Sequence, residues 1–308
     1  MPRFYPIGTP GTPWGDVERR AWFEAQSPTR SYQEQVLRRL QDELPEAFTI
    51  TQYGALPVDA QRYPLFALSA DRAGTSAPWI LVTGGVHGYE TSGVQGALDF
   101  VRGHAQAYLD RVNLLVLPCV SPWGYEMITR WNPNAVDPNR SFIANAPAEE
   151  AAAAMALLGS RKLRFLMHID LHETTDSDEE EFRPALAARD GKAFEADSIP
   201  DGFYTVGDQD RKVLAFQQAI IDAVTEVTHI ADVDANGKLI GVQADAPGII
   251  HIPSRRLGLC AGVTDAPYTS TTEVYPDSDR VTDAQCNAAQ VAATCGALDF
   301  ALGHREAA

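Results

Sequence analysis

Strand-like apolar runs alternate with helix-patterned segments through the middle of this 308-residue chain. No other feature constrains its fold as strongly. Residues 79–83 (Trp-Ile-Leu-Val-Thr) and 112–120 are near-continuous apolar runs, and residues 164–171 read as a third strand. Between them, residues 91–103 carry helical periodicity through Val94, Leu98 and Val101, and residues 148–158 are rich in Ala and Leu. Parallel strands need a crossover connection, usually a helix, and strands buried on both faces lose the alternation of apolar and polar residues. The pattern predicts an α/β fold with a mixed, largely parallel central sheet and helices on both faces.

The flanks extend this pattern. Residues 48–53 and 63–69 read as strands split by a turn near Gly54 and Pro57. Ser31 with Glu34 opens a helix in the manner of a capping box. Residues 212–227 predict a further helix, 269–275 alternate as a strand, and 284–300 close the chain as a helix. Residues 2–15 are rich in Pro and Gly and predict an extended surface arm, within an N-terminal stretch spanning 1–30. There is no internal repeat or linker, so residues 1–308 are expected to form one catalytic domain.

Composition excludes several functions. A net charge of -16 opposes binding to nucleic-acid phosphates, which takes a basic face. No stretch is long and apolar enough to span a membrane. The four cysteines (Cys119, Cys260, Cys286, Cys295) make no Cys-x-x-Cys pair. Cys286 and Cys295 fall on opposite sides of one predicted helix, at ~100° per residue. No disulfide framework is expected, and residues 1–6 lack the apolar core of a signal peptide. A reducing, cytoplasmic setting is the expectation. The chain also lacks a phosphate-binding loop, a dinucleotide fingerprint and a nucleophile elbow.

Three short strings carry chemistry: His87-Gly88-Tyr89-Glu90, Asp137-Pro138-Asn139-Arg140 and His168-Ile169-Asp170-Leu171-His172. Each falls at or beyond the carboxyl end of a predicted strand, where open α/β sheets bind ligands. A catalytic zinc ion takes three protein ligands and keeps one open position, and two His with one Glu is a hydrolytic set. His87, Glu90 and His172 can supply it, for one Zn²⁺ per chain. His168 shares a strand face with Asp170 and His172 but lies deeper, as expected of a hydrogen-bonded core histidine. Asp137 is placed to accept a hydrogen bond from a metal-bound imidazole. The planar fork of Arg140 suits a carboxylate, and Asn139 can donate beside it. The acidic run 176–181 reads as a solvated loop near the rim of this site.

The order and spacing of these strings resemble the zinc metallocarboxypeptidases, the carboxypeptidase A-like family with its compact bacterial members. The resemblance runs over roughly residues 75–300 and includes a loop echo in Ser121-Pro122-Trp123-Gly124-Tyr125. It implies that His87, Glu90 and His172 bind zinc and that Glu273, in Thr271-Thr272-Glu273-Val274-Tyr275, is the general base. It implies further that Arg130 stabilises an oxyanion and that Asn139 and Arg140 clamp the C-terminal carboxylate of a peptide or a small amino-acid-derived substrate. The related aspartoacylase and succinylglutamate desuccinylase branch shares the ligands and the short interval between Arg130 and Asn139, and it implies N-acyl amino acids as an alternative substrate. A non-catalytic module that binds peptide termini is a third reading. The family's mobile tyrosine has no clear match: Tyr204 and Tyr268 are candidates, with a packing role expected for Tyr268. Arg255 and Arg256 are expected near the specificity pocket, where they would favour acidic C-terminal residues. The oligomeric state is not legible in the sequence.

Overall fold

The computed structural model describes residues 5–74 and 76–304. Its helices are α1 (Asp16–Glu24), α2 (Arg38–Asp42), α3 (Thr91–Gly103), α4 (Pro122–Met127), α5 (Glu149–Arg161), α6 (Arg183–Arg189), α7 (Leu214–Thr225) and α8 (Asp283–Gly303). Its strands are β1 (Thr49–Ala55), β2 (Pro64–Ala70), β3 (Trp79–Gly84), β4 (Asn113–Leu117), β5 (Phe165–Glu173), β6 (Tyr204–Asp208), β7 (Lys238–Leu239), β8 (Val242–Gln243), β9 (Ile249–Ile252) and β10 (Tyr268–Val274). All but β7 and β8 join one sheet, in the order β1-β2-β4-β3-β5-β10-β6-β9. Strands β4, β3, β5 and β10 run parallel at its centre, β1 and β2 pair antiparallel at one edge, and β6 returns antiparallel beside β10.

Strand periodicity separates the two faces of this sheet. Met167, Ile169 and Leu171 of β5 point into a large apolar cluster with Val94 and Phe100 of α3, Ile220 of α7 and Leu298 of α8. The alternate residues His168, Asp170 and His172 therefore occupy the opposite face. On that face Leu81, Leu115 and Leu117 pack with Phe142, Ala151 and Ala154. Register then does the positioning: His172 lies beside Glu273 on β10, and Asp170 lies beside Thr83 on β3.

The structure adjusts several expected boundaries. The 112–120 run ends as a strand at Leu117 because Pro118 has no N–H to continue the ladder. Cys119 and Val120 continue as a connection, fastened by Val120 N–H to the Gly84 carbonyl at 3.1 Å. The segment opened by Ser31 starts as a π-helical turn, Gln33–Leu37, before α2, with Glu34 N–H donating to Ser31 Oγ at 3.1 Å. Strands β6 and β9 add two members to the sheet that periodicity missed, because each is only four or five residues long.

The N-terminal stretch is the main correction. It contains helix α1, and Tyr5, Trp14 and Trp22 are buried. The rings of Trp14 and Trp22 lie 6.0 and 5.5 Å from that of Trp131, which in turn packs on Phe182. Large aromatic surfaces outweigh the turn-forming prolines and glycines around them and dock the segment instead of leaving it extended. All four cysteines are free. Among the described residues, no helix is long and apolar enough to cross a membrane.

Candidate metal centre

His87 and Glu90 sit in the tight turn from β3 to α3, with Glu90 at the helix N-cap. Gly85 takes φ +59° in this turn, and a Cβ on Gly88 would collide with the Tyr125 backbone nitrogen, so the sequence needs glycine at both positions. The helix start is secured by Glu173, whose carboxylate accepts from Thr91 N at 2.9 Å and Ser92 N at 2.7 Å.

Three side chains then converge. Glu90 Oε1 lies 2.7 Å from His87 Nδ1, and Glu90 Oε2 lies 2.7 Å from His172 Nδ1. The second contact is close but misdirected, since Oε2 is buried and makes no hydrogen bond. The far nitrogens are committed: His87 Nε2 lies 3.0 Å from Asp137 Oδ1, and His172 Nε2 lies 2.8 Å from Asp170 Oδ2. Each imidazole thus lies between two carboxylates: burial opposes charge on His172, but Glu90 and Asp170 hold it well above the usual imidazole range, and a cation would take the place of a proton on the Nδ1 side while Nε2 stays tied to its carboxylate. The candidate ligand atoms of His87, Glu90 and His172 lie within 4.8 Å of one another, and all three residues are buried. Three inward-facing donors, an orphaned carboxylate oxygen and a ring of buried acids (Glu90, Asp137, Asp170) form a site suited to a divalent cation. Burial pushes Glu90 upward, but the imidazoles of His172 and His87 prevail and hold it down at about 2.

The Asp137 string is wound into a short 3₁₀ turn, Pro138–Arg140. Asp137 Oδ1 caps this turn by accepting from Asn139 N at 2.8 Å. The Asn139 carboxamide is oriented by Cys260 N, which donates to Oδ1 at 2.8 Å, leaving Nδ2 facing His172 Nε2 at 3.4 Å. Arg140 bonds the Asn139 carbonyl at 2.7 Å through one Nη and reaches the cavity.

Arg130 is gripped from three directions. Its Nε donates to Asp137 Oδ2 at 3.2 Å, its Nη1 donates to Asp178 Oδ1 at 3.2 Å, and its guanidinium lies 4.2 Å over the Phe182 ring. Asp178 also accepts from Tyr89 Oη at 2.8 Å and from Thr175 N at 3.0 Å. The acidic run is therefore not wholly a solvated loop. It forms a π-helical turn, Asp178–Phe182, whose first residue is buried against the site. Asp178 was missed in the sequence because a run of acids masks the one member that turns inward.

Glu273 accepts from Thr174 Oγ1 at 3.0 Å, and Thr174 Oγ1 is 2.7 Å from Tyr204 Oη. Burial, with Glu90 and Asp178 nearby, raises Glu273 to about 8 against the pull of His172. Tyr204 faces Glu273 across the β6–β10 pair and lines the cavity, whereas Tyr268 packs against Phe216 and Phe300. The cavity measures about 250 Å³ and brings together His87, Glu90, Arg130, Asn139, Arg140 and Glu273.

Other candidates fall elsewhere. Arg255 pairs with Asp265 at 2.7 Å and Arg256 with Asp210 at 3.1 Å, both exposed, and neither lines the cavity. His168 is fully buried and lies 3.0 Å from Thr83 Oγ1, and burial lowers its pKa to about 4, keeping it neutral. With Asp170 and Cys260 it forms a second His/Asp/Cys group, but Thr83 Oγ1 bonds Asp170 at 2.5 Å in the middle of it. A larger groove of about 760 Å³ runs past Arg19, Phe23, Val58 and Asn134. Its cations are already paired, Arg19 with the Asn134 carbonyl and Arg20 with Glu24, and no cluster of reactive groups faces it.

A family model described as "Protein of unknown function (DUF2817)" matches residues 71–206. No curated protein matches the chain. Solved structures do. A "putative metallopeptidase" from Shewanella amazonensis superposes with TM-score 0.63 at 18% identity, covering 92% of this chain and 93% of that one. A metallo-carboxypeptidase from Burkholderia cenocepacia gives TM-score 0.56 at 15% identity, over 94% of this chain and 70% of the other. Carboxypeptidase A from Helicoverpa armigera gives 0.59 at 14%, over 92% and 75%. The chain has a carboxypeptidase-like fold.

Proposed function

We propose that this protein is a zinc-dependent carboxypeptidase, with His87, Glu90 and His172 as the ligands of one zinc ion. The observation that carries the reading is the paired orientation of the two imidazoles. Both Nδ1 atoms face Glu90, both Nε2 atoms are tied to buried carboxylates, and Glu273 sits one strand away from His172. The names of the structural neighbours support the same class.

A zinc ion at this point supplies Lewis acidity, making a water more acidic and a carbonyl more electrophilic. The remaining work belongs to the chain. Arg140, with the carboxamide N–H of Asn139, holds the terminal carboxylate of the peptide. Arg130, fixed by Asp137 and Asp178, presents a charged donor to the oxygen that becomes anionic as the amide is attacked. Glu273 takes the proton of the attacking water and returns it to the leaving amine. Its raised pKa belongs to the site without a cation. Positive charge beside Glu90 lowers it, by the same Coulombic coupling through which Glu90 raises it. Thr174, backed by Tyr204, keeps the Glu273 carboxylate oriented.

Zinc titration of metal-stripped protein tests the ligand assignment. One equivalent per chain is expected to saturate binding, raise the melting temperature and start peptide hydrolysis. His172→Ala is expected to remove all three effects. Asp170→Asn is expected to weaken zinc binding by roughly 10–100-fold, as loss of a ligand's hydrogen-bond partner does. Full hydrolysis by exhaustively stripped protein would exclude the assignment.

A further inference from the structure

The turn that carries two of the three candidate ligands is fastened carbonyl by carbonyl. A backbone carbonyl shut away from water needs a donor, and residues ahead of a helix find none in its ladder. The Gly85 carbonyl accepts from Ser121 N at 2.8 Å, and the Val86 carbonyl accepts from Ser121 Oγ at 2.7 Å. The His87 carbonyl accepts from Glu90 N at 3.3 Å. Gly88 and Tyr89, the two residues between the ligands, remain. Both of their carbonyls accept from Arg30 Nη2, at 2.7 and 3.3 Å, and the Thr91 hydroxyl also approaches Tyr89 O at 3.4 Å.

Arg30 is itself set in place. Its Nε donates to Tyr125 O and its Nη1 to Thr91 Oγ1, both at 2.5 Å, and its guanidinium lies 3.6 Å over the Tyr125 ring. The backbone nitrogens of Thr29 and Arg30 donate to Glu126 O at 2.8 and 3.3 Å, and Tyr32 N donates to the Glu126 carboxylate at 2.9 Å. Residues 29–30 thereby satisfy carbonyls at the C-terminal end of α4, where a helix supplies no partners of its own. Every acceptor that the guanidinium meets is neutral: three carbonyls and a hydroxyl. The planar fork serves here to span backbone groups of two elements, the metal turn and α4, which the compact head of a lysine cannot do.

We propose that Arg30 is a positioning residue for the metal centre, holding the Gly88–Tyr89 backbone so that His87 and Glu90, on either side of it, aim at one point. The proposal rests on the assignment of His87, Glu90 and His172 as ligands. The hydrogen bonds of Arg30 reach none of those three side chains; it acts through the backbone that joins two of them.

Arg30→Met keeps an apolar stem over Tyr125 and removes the donors, whereas Arg30→Lys keeps the charge and loses the fork. Zinc titration of the metal-stripped proteins and visible absorption of their Co²⁺-loaded forms test the proposal. Zinc is expected to bind roughly 10–100-fold more weakly in Arg30→Met, as when groups that orient ligands are lost, and to weaken less in Arg30→Lys. The Co²⁺ bands, which follow ligand geometry, are expected to shift in both. Arg39→Met is the control, since Arg39 bonds Gln95 and Asp99 farther along α3. It is expected to lower the melting temperature and leave zinc affinity and the Co²⁺ bands unchanged. If Arg30→Met does not fold, Arg30→Lys decides. Unchanged zinc affinity and Co²⁺ bands in the folded Arg30 variants would overturn the proposal. An equal loss of zinc affinity in Arg39→Met would overturn it too, because the weakening would then follow stability alone. Failure of the wild type to bind one equivalent of zinc would remove the ligand assignment itself, whereas wild-type binding with unaffected Arg30 variants would remove only the role of Arg30.

Discussion

Replacing Glu273 with Gln is expected to lower kcat by roughly 10²–10⁴-fold, the usual contribution of a positioned acid–base group, with zinc content unchanged. The amide has nearly the shape of the carboxylate and can still accept from Thr174, so β10 keeps its register with His172 and Tyr204. It cannot take a proton from water. In the metal-free protein, where desolvation already pushes the Glu273 carboxyl up, the amide relieves that cost, so the metal-free variant should melt no lower than the metal-free wild type. Parallel measurement of kcat, zinc content and melting temperature separates chemistry from folding. Near-normal kcat in the folded, zinc-loaded variant would rule out Glu273 as the base.

The second large effect concerns stability as well as rate. Arg130 is part-buried between the buried Asp137 and Asp178, so Arg130→Ala leaves two buried carboxylates without their shared cation. Breaking a buried pair from one side costs about 3–5 kcal/mol, which for a chain of this size lowers the melting temperature by roughly 5–15 °C. Loss of the oxyanion donor lowers kcat by roughly 10²–10³-fold as well. The two effects part in the double variant Arg130→Ala/Asp178→Asn. With one orphaned charge neutralised, much of the stability should return while kcat stays low. If the double variant regained activity along with stability, Arg130 would be a structural residue only. Calorimetry and steady-state kinetics on the three proteins decide the matter.

How far the sequence reveals this molecule depends on how local the physics is. The parallel core was legible because β3, β4 and β5 are buried and their crossover helices carry clear periodicity. The string from His168 to His172 was readable because alternation along a strand places Asp170 and His172 on one face whatever surrounds them. The meeting of His87, Glu90 and His172 followed from strand ends falling on one edge of the sheet. Glu273 and Arg130 were found through resemblance, since neither carries a local signal, and the structure brings both to the same cavity. What stayed hidden depends on distant partners. Asp178 differs from its acidic neighbours only in meeting Arg130 and Tyr89. Strands β6 and β9 are too short to show a period, and with them went Tyr204, Val206 and Ile252, which line the cavity. Arg255 and Arg256 looked suited to a pocket by position in the chain, but each has an aspartate partner on the surface. The N-terminal stretch misled because prolines and glycines signal turns, while Trp14 and Trp22 pack on Trp131 more than a hundred residues away and Tyr5 packs on Trp14.

The most direct measurement is mass spectrometry of a mixed peptide set incubated with zinc-loaded protein. Stepwise loss of single residues from the C-terminus, absent with Glu273→Gln, is the predicted result. Peptides left intact while small N-acyl amino acids are hydrolysed would contradict the account and give the same zinc site to acyl amino acids instead.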